Sequence, residues 1–276
     1  MSRKIPYLKS ALVTGASSGI GKSVALMLAQ AGLKVYAASR HPQQDIQSFP
    51  GGGSIIPITM DVASEASVKE ASKAIGELGI IVHCAGIGIS GSAEVTPDQR
   101  ARAQMDTNYF GVLNVNRVFM ERLRQNKASL IQITSSVAGI VPIPYQSHYS
   151  SSKYALEAYA QALRMEARPF GVRVALVEPG DTKTGFTKAR SYDEDPESVY
   201  YDACMKAVEK MASDEQNGKG PETVAKVILK NIYRSNPPVR QAVGASYKAL
   251  SFLIKVLPAR LVLLLVSKIY LPAQKR

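Results

Sequence analysis

The chain is poor in the features that define several protein classes. It has two cysteines in 276 residues, Cys84 and Cys204, and they lie far apart. That leaves no disulfide framework and no zinc spacing, and it fits a reducing compartment. Met1 to Ser10 is short and basic and runs directly into an apolar stretch. A signal peptide would need an apolar region and a small-residue cleavage site there. No uncharged apolar span reaches the ~18 residues that cross a bilayer. No Arg/Lys cluster with interleaved aromatics appears, so nucleic acid is not an expected partner. Internal repeats and low-complexity tracts are missing too. No metal site is expected. A cytoplasmic protein is, with membrane association left open by the tail described below.

What remains is enough for one large α/β domain with a sizeable core. Hydrophobic residues make up 46%, which is ordinary for a globular chain. The formal net charge of +12 suits nucleic acid, an anionic membrane surface or acidic ligands.

Tyr149 and Lys153 lie four apart, at the head of a run that reads as a helix from Tyr154 to Arg168. Helical spacing puts them on one face. An ammonium beside a phenol favours the phenolate and lowers a pKa that is otherwise about 10. Such a phenol can exchange a proton during a reaction.

Earlier in the chain, Ser10 to Thr14 reads as a buried strand. It ends in Thr14-Gly15-Ala16-Ser17-Ser18-Gly19-Ile20-Gly21, and a helix from Ile20 to Ala31 follows. Strand, glycine-rich turn and helix make a phosphate-binding arrangement, with helix N–H groups aimed at the ligand. Lys34 to Ser39 is the second strand, and it ends at Arg40 rather than at a carboxylate. A guanidinium there binds a ribose 2′-phosphate, so NADP is favoured over NAD. Further strands are read at Ser54 to Met60, ending at Asp61, and at Ile80 to Ala85, followed by Gly86. Two more are read at Ser129 to Thr134 and Arg173 to Glu178. Helices are read at Ala66 to Ile75, at Pro97 to Gln125 and at Pro221 to Tyr233. Alternation of strands and helices implies a doubly wound parallel sheet of Rossmann type, with ligands at the strands' C-terminal ends. Asn108, beside Gly111 in the middle of the long helix, is locally unfavourable. It is either tolerated or the site of a kink that frees backbone groups.

Taken together, the strand ends resemble the short-chain dehydrogenase/reductase family over roughly residues 8 to 185. The resemblance rests on Thr14-Gly15-x-x-x-Gly19-x-Gly21 and on Tyr149-x-x-x-Lys153. It implies a catalytic group of Asn108, Ser136, Tyr149 and Lys153. Ser136 is chosen over Ser135 because it precedes x-Ala-Gly at the family's distance from the Tyr. Resemblance and turn together imply a cofactor site of Gly15, Ser17, Ser18, Gly19, Ile20, Gly21, Arg40, Asp61, Val62, Ala85, Gly86, Asn108, Tyr149, Lys153, Pro179, Gly180, Thr182 and Thr184. Asn108 is expected to hold a water on the proton path, and Lys153 to bind the ribose hydroxyls and lower the Tyr149 pKa. The chain departs from the family at His83-Cys84, where Asn-Asn is usual, and the lost Asn normally ties neighbouring strands. Adjacent strand residues point to opposite faces, so His83 and Cys84 do not jointly hold an ion.

Residues 1–244 are read as the catalytic domain, with a lid at about 185–220, and 245–276 as an apolar, basic helical tail. Phe186 and the lid's tyrosines and methionines face a wall from Val141 to Tyr145, which suggests an apolar substrate touching Ser136, Tyr145, Tyr149 and Phe186. The expected function is NADP(H)-dependent hydride transfer on a lipophilic carbonyl or alcohol: a steroid, a retinoid or a long-chain keto compound. The tail and the stretch from Asp181 to Phe186 look similar to reductases of ketosphinganine. A 3-oxoacyl-carrier-protein reductase and a non-catalytic NADP-binding regulator stay open as alternatives. The tail packs on the domain or a partner subunit, lies in a membrane interface, or closes over substrate. Family members are often homodimers or homotetramers, and the same is expected here.

Overall fold

The central apolar runs, Ser10–Thr14, Ile80–His83, Ser129–Thr134 and Val172–Glu178, are buried on both faces, so their backbone groups find partners in neighbouring strands. The computed structural model describes residues 4–42 and 45–271. In chain order it begins with β1 (Ser10–Thr14), α1 (Gly19–Gln30), β2 (Lys34–Ser39), β3 (Gln47–Ser48), β4 (Ser54–Thr59) and α2 (Glu65–Ser72). Next come β5 (Ile80–His83), β6 (Ile89–Ser90), α3 (Asp98–Met105), a π turn (Asp106–Phe110), α4 (Gly111–Arg124) and β7 (Ser129–Thr134). They are followed by α5 (Ser147–Ala167), β8 (Val172–Glu178), α6 (Phe186–Ala189), β9 (Ser191–Tyr192), α7 (Tyr201–Asn217) and α8 (Pro221–Ile232). The described chain ends with β10 (Arg240–Ala242), α9 (Ala245–Val256) and α10 (Ala259–Tyr270).

The main sheet has the order β10-β8-β7-β5-β1-β2-β4-β3. Every pairing in it is parallel except that of the edge strand β3 with β4. The order reverses at β1, so the crevice beyond the ends of β1 and β5 is the topological switch point. Alternate residues of β1 feed opposite cores. Leu12 packs with Phe119, Ile131 and Leu156 on the α2, α4 and α5 side. Val13 packs with Val24, Leu28 and Ile228 on the α1 and α8 side. This is the doubly wound sheet that the alternation of elements implies.

The structure differs from the sequence expectation in three places. The helix expected from Pro97 to Gln125 is broken at Asp106–Phe110, where the Gly111 N–H reaches back to the Asp106 carbonyl. One residue is thereby bulged out, as in a π turn at a functional site. A seventh parallel strand, β10, was not anticipated, because three residues of Arg-Gln-Ala carry no apolar signal. The tail is two helices, broken at Leu257-Pro258 because proline disfavours helical backbone before it.

Strand β10 brings a half-buried charge with it. Arg240 Nε donates to Glu178 Oε1 at 2.7 Å and lies 2.9 Å from Glu157 Oε2. Burial first, and the nearby Glu178 second among the raising causes, push Glu157 up to about 7. Removing the cation leaves two carboxylates in a dry site. Arg240→Met is expected to cost about 3 kcal/mol, the low end for a broken buried pair because Arg240 is partly exposed. Across the window from the usual Glu value to about 7, folded Glu157 keeps a proton that the unfolded chain has lost. Stability therefore rises as pH falls through that window. Urea melts of the variant at pH 5.5 and 8 check both points.

Candidate active site

The glycines of the first turn are required by close backbone approach. Gly15 has φ +66°, and a Cβ there would lie 2.7 Å from the Ala85 backbone nitrogen. At Gly21 a Cβ would fall inside the contact radius of the Gly15 carbonyl oxygen. Helix α1 starts at Gly19 with no side-chain cap and no acidic residue in its first turn. Its first N–H groups therefore remain available to an anion. Ser17 and Ser18 are exposed on this turn and Ile20 is half-buried. The loop after β8 closes toward it: a Cβ at Gly19 would sit 3.4 Å from Thr184 Cβ.

Around that turn the other expected cofactor residues follow the C-terminal edge of the sheet. Ala85 N and Cys84 N both donate to Thr14 Oγ1 at 3.2 Å, which pins the end of β5 to β1. Asp61 closes a turn by accepting from Ala63 N at 3.0 Å, and the Val62 carbonyl accepts from Asn114 Nδ2 at 3.0 Å. Pro179 O accepts from Val137 N, and Thr182 Oγ1 donates to Gly180 O. Arg40 is exposed beyond β2. A small pocket beside that strand end is lined by Ser17, Lys22, Ser39 and Asp45. Lys22, one turn into α1, is a cation that the sequence reading missed. Asp45 is a carboxylate in the same pocket, although the strand end itself has none.

Asn108, Tyr149 and Lys153 come together at one place, with Ser136 beside them. The π turn aims Asn108 inward, fully buried. Its Oδ1 accepts from Ile87 N at 2.9 Å, and its Nδ2 donates to Ile87 O and to Ser152 Oγ. Ser152 in turn donates to the Tyr149 carbonyl at 2.7 Å. Helix α5 starts at Ser147, ahead of the expected Tyr154, so Tyr149 and Lys153 occupy its first two turns. Lys153 Nζ lies 5.7 Å from the Tyr149 ring centroid and donates to Thr134 O at 3.1 Å. A Cβ on Gly86 would be 3.3 Å from Asn108 Oδ1 and 3.9 Å from Lys153 Nζ, so the bare backbone there opens onto both. Ser136 Oγ accepts from Ala138 N at 3.1 Å, while its neighbour Ser135 turns toward Glu157.

The charges in this cluster correct one expectation. Burial raises the Tyr149 pKa above its ordinary value, and the Ser136 hydroxyl and then Arg190 pull it partly back. Burial also lowers Lys153 to about 8, against the pull of Cys84 and Glu157. Desolvation thus outweighs the ammonium effect, because Lys153 bonds the Thr134 carbonyl rather than the phenol oxygen. At neutral pH Tyr149 holds its proton.

The segment after β8 covers the other side. The Phe186 ring is 5.8 Å from the Tyr149 ring and covers Gly88. Arg190, fully buried, stacks 5.8 Å from Phe186 and pairs with Glu215 of α7. Glu215 also accepts from Thr187 Oγ1 at 2.6 Å. Tyr145 lies on the opposite loop with φ +59°, and its carbonyl accepts from Gly91 N. The sequence reading also missed Gln104. It is buried one turn before Asn108 and holds Ile87 O and Ile89 N. A polar pair at i, i+4 in a helix next to a sheet edge was the available signal.

The family model for short chain dehydrogenase matches residues 9–195, most of the chain. The chain belongs to the short-chain dehydrogenase/reductase family. As a short-chain dehydrogenase it is an oxidoreductase of that family. It is similar to a 3-ketodihydrosphingosine reductase of Bacteroides thetaiotaomicron, 37% identical over 239 residues, spanning 84% of this chain and 87% of that one. Its fold matches a short-chain dehydrogenase of Streptomyces avermitilis at TM-score 0.77 and 24% identity, covering 94% of this chain and 97% of that one. A second neighbour, a short-chain dehydrogenase of Burkholderia cenocepacia in complex with NADP, aligns at TM-score 0.69 and 23% identity, covering 95% and 98%. In this short-chain dehydrogenase His83 and Cys84 diverge, and each has a structural partner. His83 Nε2 faces Asn116 Oδ1 at 2.9 Å, and burial lowers its pKa to about 4. Cys84 Sγ meets Thr134 Oγ1 at 3.4 Å, which ties β5 to β7.

Proposed function

We propose that this enzyme is an NADP(H)-dependent reductase of a lipophilic ketone, most closely a long-chain keto compound. One observation carries this reading: half-buried Tyr149 and buried Lys153 meet Asn108 and Ser136 beside the glycine turn, under aromatic Phe186. The turn fits a dinucleotide, since its cradle excludes any Cβ and its helix end is uncapped. Residues 15 to 21 and 179 to 184 would hold the cofactor, with Arg40 and Lys22 on the 2′-phosphate. Bound there, NADPH supplies a hydride to the carbonyl carbon.

The chain's own residues do the rest. Tyr149, protonated at neutral pH, gives its proton to the carbonyl oxygen as negative charge grows on it. The Ser136 hydroxyl donates to the same oxygen, since its lone pairs already accept from Ala138 N. Lys153 would hold the ribose hydroxyls, and Asn108, locked by Ile87 and Ser152, would keep the adjoining backbone in register for a water. Phe186 and Gly88 present an apolar wall that suits an alkyl chain. The named activity of the Bacteroides relative supports a long-chain keto substrate over a steroid or a retinoid. The enzyme works as a homodimer or homotetramer in this reading. Tyr154 and Met165 stand three helical turns apart and exposed on α5, with Phe110 exposed on the π turn.

Rates of NADPH oxidation against long-chain keto, steroid, retinoid and short ketones test the proposal. The long-chain keto compound should give the highest kcat/KM, and turnover of short ketones alone would contradict it. Two further outcomes follow. Arg40→Asp removes a charge-assisted contact worth roughly 1.5–3 kcal/mol. NADPH KM should rise about 10- to 100-fold while NADH KM falls, read by steady-state kinetics. Because cofactor binding favours the charged ammonium, NADPH affinity should weaken as pH rises through about 8, where free Lys153 loses its proton. Fluorescence titration of Kd from pH 6.5 to 9.5 checks the direction.

A further inference from the structure

The formal charge of +12 is unevenly distributed. All 22 acidic residues lie at or before Glu222, while ten of the 34 basic residues lie after it. The last 54 residues therefore carry nearly all of the net charge. Four of these basic residues lie on the consecutive helices α9 and α10, and that helix pair is apolar on two faces.

One face rests on the domain. Tyr247 covers Gly180, bonds the Asp181 backbone N–H and pairs with the Asp181 carboxylate. Leu250 and Ile254 of α9 and Val262, Val266 and Tyr270 of α10 are half-buried at helical spacings, and α10 lies on α7. The opposite face points away from the domain. On α9 it shows Phe252, Leu253 and Val256, which are 46–67% exposed. On α10 it shows Leu261, Leu264, Leu265 and Ile269, which are 40–56% exposed. On α10 these repeat at i, i+3, i+4 and i+8, and on α9 at i, i+1 and i+4, so each helix has a second apolar stripe where a water-facing helix is polar. The exposed charged side chains of the helix pair are Lys248, Lys255, Arg260 and Lys268. Lys248 and Lys255, seven apart, run along one flank of the α9 stripe.

The occupant of this face must accept apolar side chains and cations together. A second copy would set the same cations against one another across a two-fold interface. An anionic lipid surface accepts both. Each helix has 12 residues, and among the described residues no helix is long and apolar enough to cross a membrane. The helix pair suits the plane of the interface instead.

We propose that helices α9 and α10 together dock this enzyme on an anionic membrane surface. Their outer stripes enter the boundary between headgroups and acyl chains, and their four cations contact the headgroups. Tyr247 fixes α9 to the loop after β8, so docking holds the lid side of the active site at the lipid. The proposal does not depend on which ketone is reduced.

Sedimentation of the full chain with phosphatidylcholine vesicles, with and without phosphatidylglycerol, tests it. The protein should bind the phosphatidylglycerol vesicles at least about tenfold more tightly, with binding falling as salt rises. The Phe252→Ser/Leu264→Ser pair should bind those vesicles at least about tenfold less tightly. Lys248→Glu/Lys255→Glu should lose a similar factor. Both variants should keep NADPH affinity and their rate on a short soluble ketone, which also reports that they fold. Two results would overturn the proposal. One is no preference for anionic vesicles. The other is a vesicle-free oligomer that Phe252→Ser/Leu264→Ser dissociates, which would make the stripe an interface between copies.

Discussion

Tyr149→Phe lowers turnover by about a thousandfold or more while NADPH Kd stays within about twofold. The substitution removes one oxygen and keeps the ring, so the packing against Phe186 at 5.8 Å and the Lys153 ammonium over the ring survive. Burial holds the Tyr149 proton in place at neutral pH, which makes the phenol a ready donor to a developing alkoxide. General acid catalysis is typically worth about 10²–10⁴-fold, and here no neighbouring group replaces the donor. Lys153 has its Nζ on the Thr134 carbonyl, and the Ser136 hydroxyl is far too weak an acid. Steady-state kcat beside a fluorescence titration of NADPH separates the two effects. A variant with more than a tenth of the parent activity would remove Tyr149 from the chemistry.

Gly21→Ala abolishes measurable NADPH binding at concentrations that saturate the parent. The added Cβ collides with the Gly15 carbonyl oxygen and carbon, which are backbone atoms. Gly15 is itself wedged against Ala85 at φ +66° and has no room to retreat. The strain is relieved by opening the turn, and that moves the α1 N–H groups off the phosphate position. Overpacking of this kind costs about 1–3 kcal/mol. At roughly 2 °C per kcal/mol for a chain of this size, Tm falls by about 2–6 °C. Isothermal titration together with a thermal melt reads both. Unchanged affinity would mean that the turn does not carry the phosphates.

The main sheet was legible because its strands are short apolar runs, each closed by a turn residue at the functional edge. Val13, Val35 and Val82 sit where that pattern puts them, buried against α1 and α8. Strand β10 was not legible: its Arg240 is paid for by Glu157 and Glu178, partners 83 and 62 residues away that no local pattern reveals. That Asn108, Tyr149 and Lys153 would lie together was legible from motif spacing, but the support around them was not. Gln104 and Ser152 act through backbone groups of the loop after β5 and of α5, so their identity makes sense only once those elements meet. The Arg190–Glu215 pair joins the end of α6 to α7 across 25 residues and is hidden from local patterns for the same reason. The direction of the Tyr149 shift was misread because spacing shows that Lys153 is near but not where its ammonium points. The apolar tail was visible in the sequence. Its division into a face on the domain and a face to the outside needed the fold.

The central claim is hydride delivery to a long-chain ketone with Tyr149 as proton donor. Mass spectrometry of the product formed from a long-chain keto substrate and NADPH deuterated at nicotinamide C4 tests it most directly. One deuterium on the carbinol carbon from a single C4 epimer, in a product that Tyr149→Phe forms about a thousandfold more slowly, is the expected result. Bound NADPH with no label in the product from either epimer would contradict it.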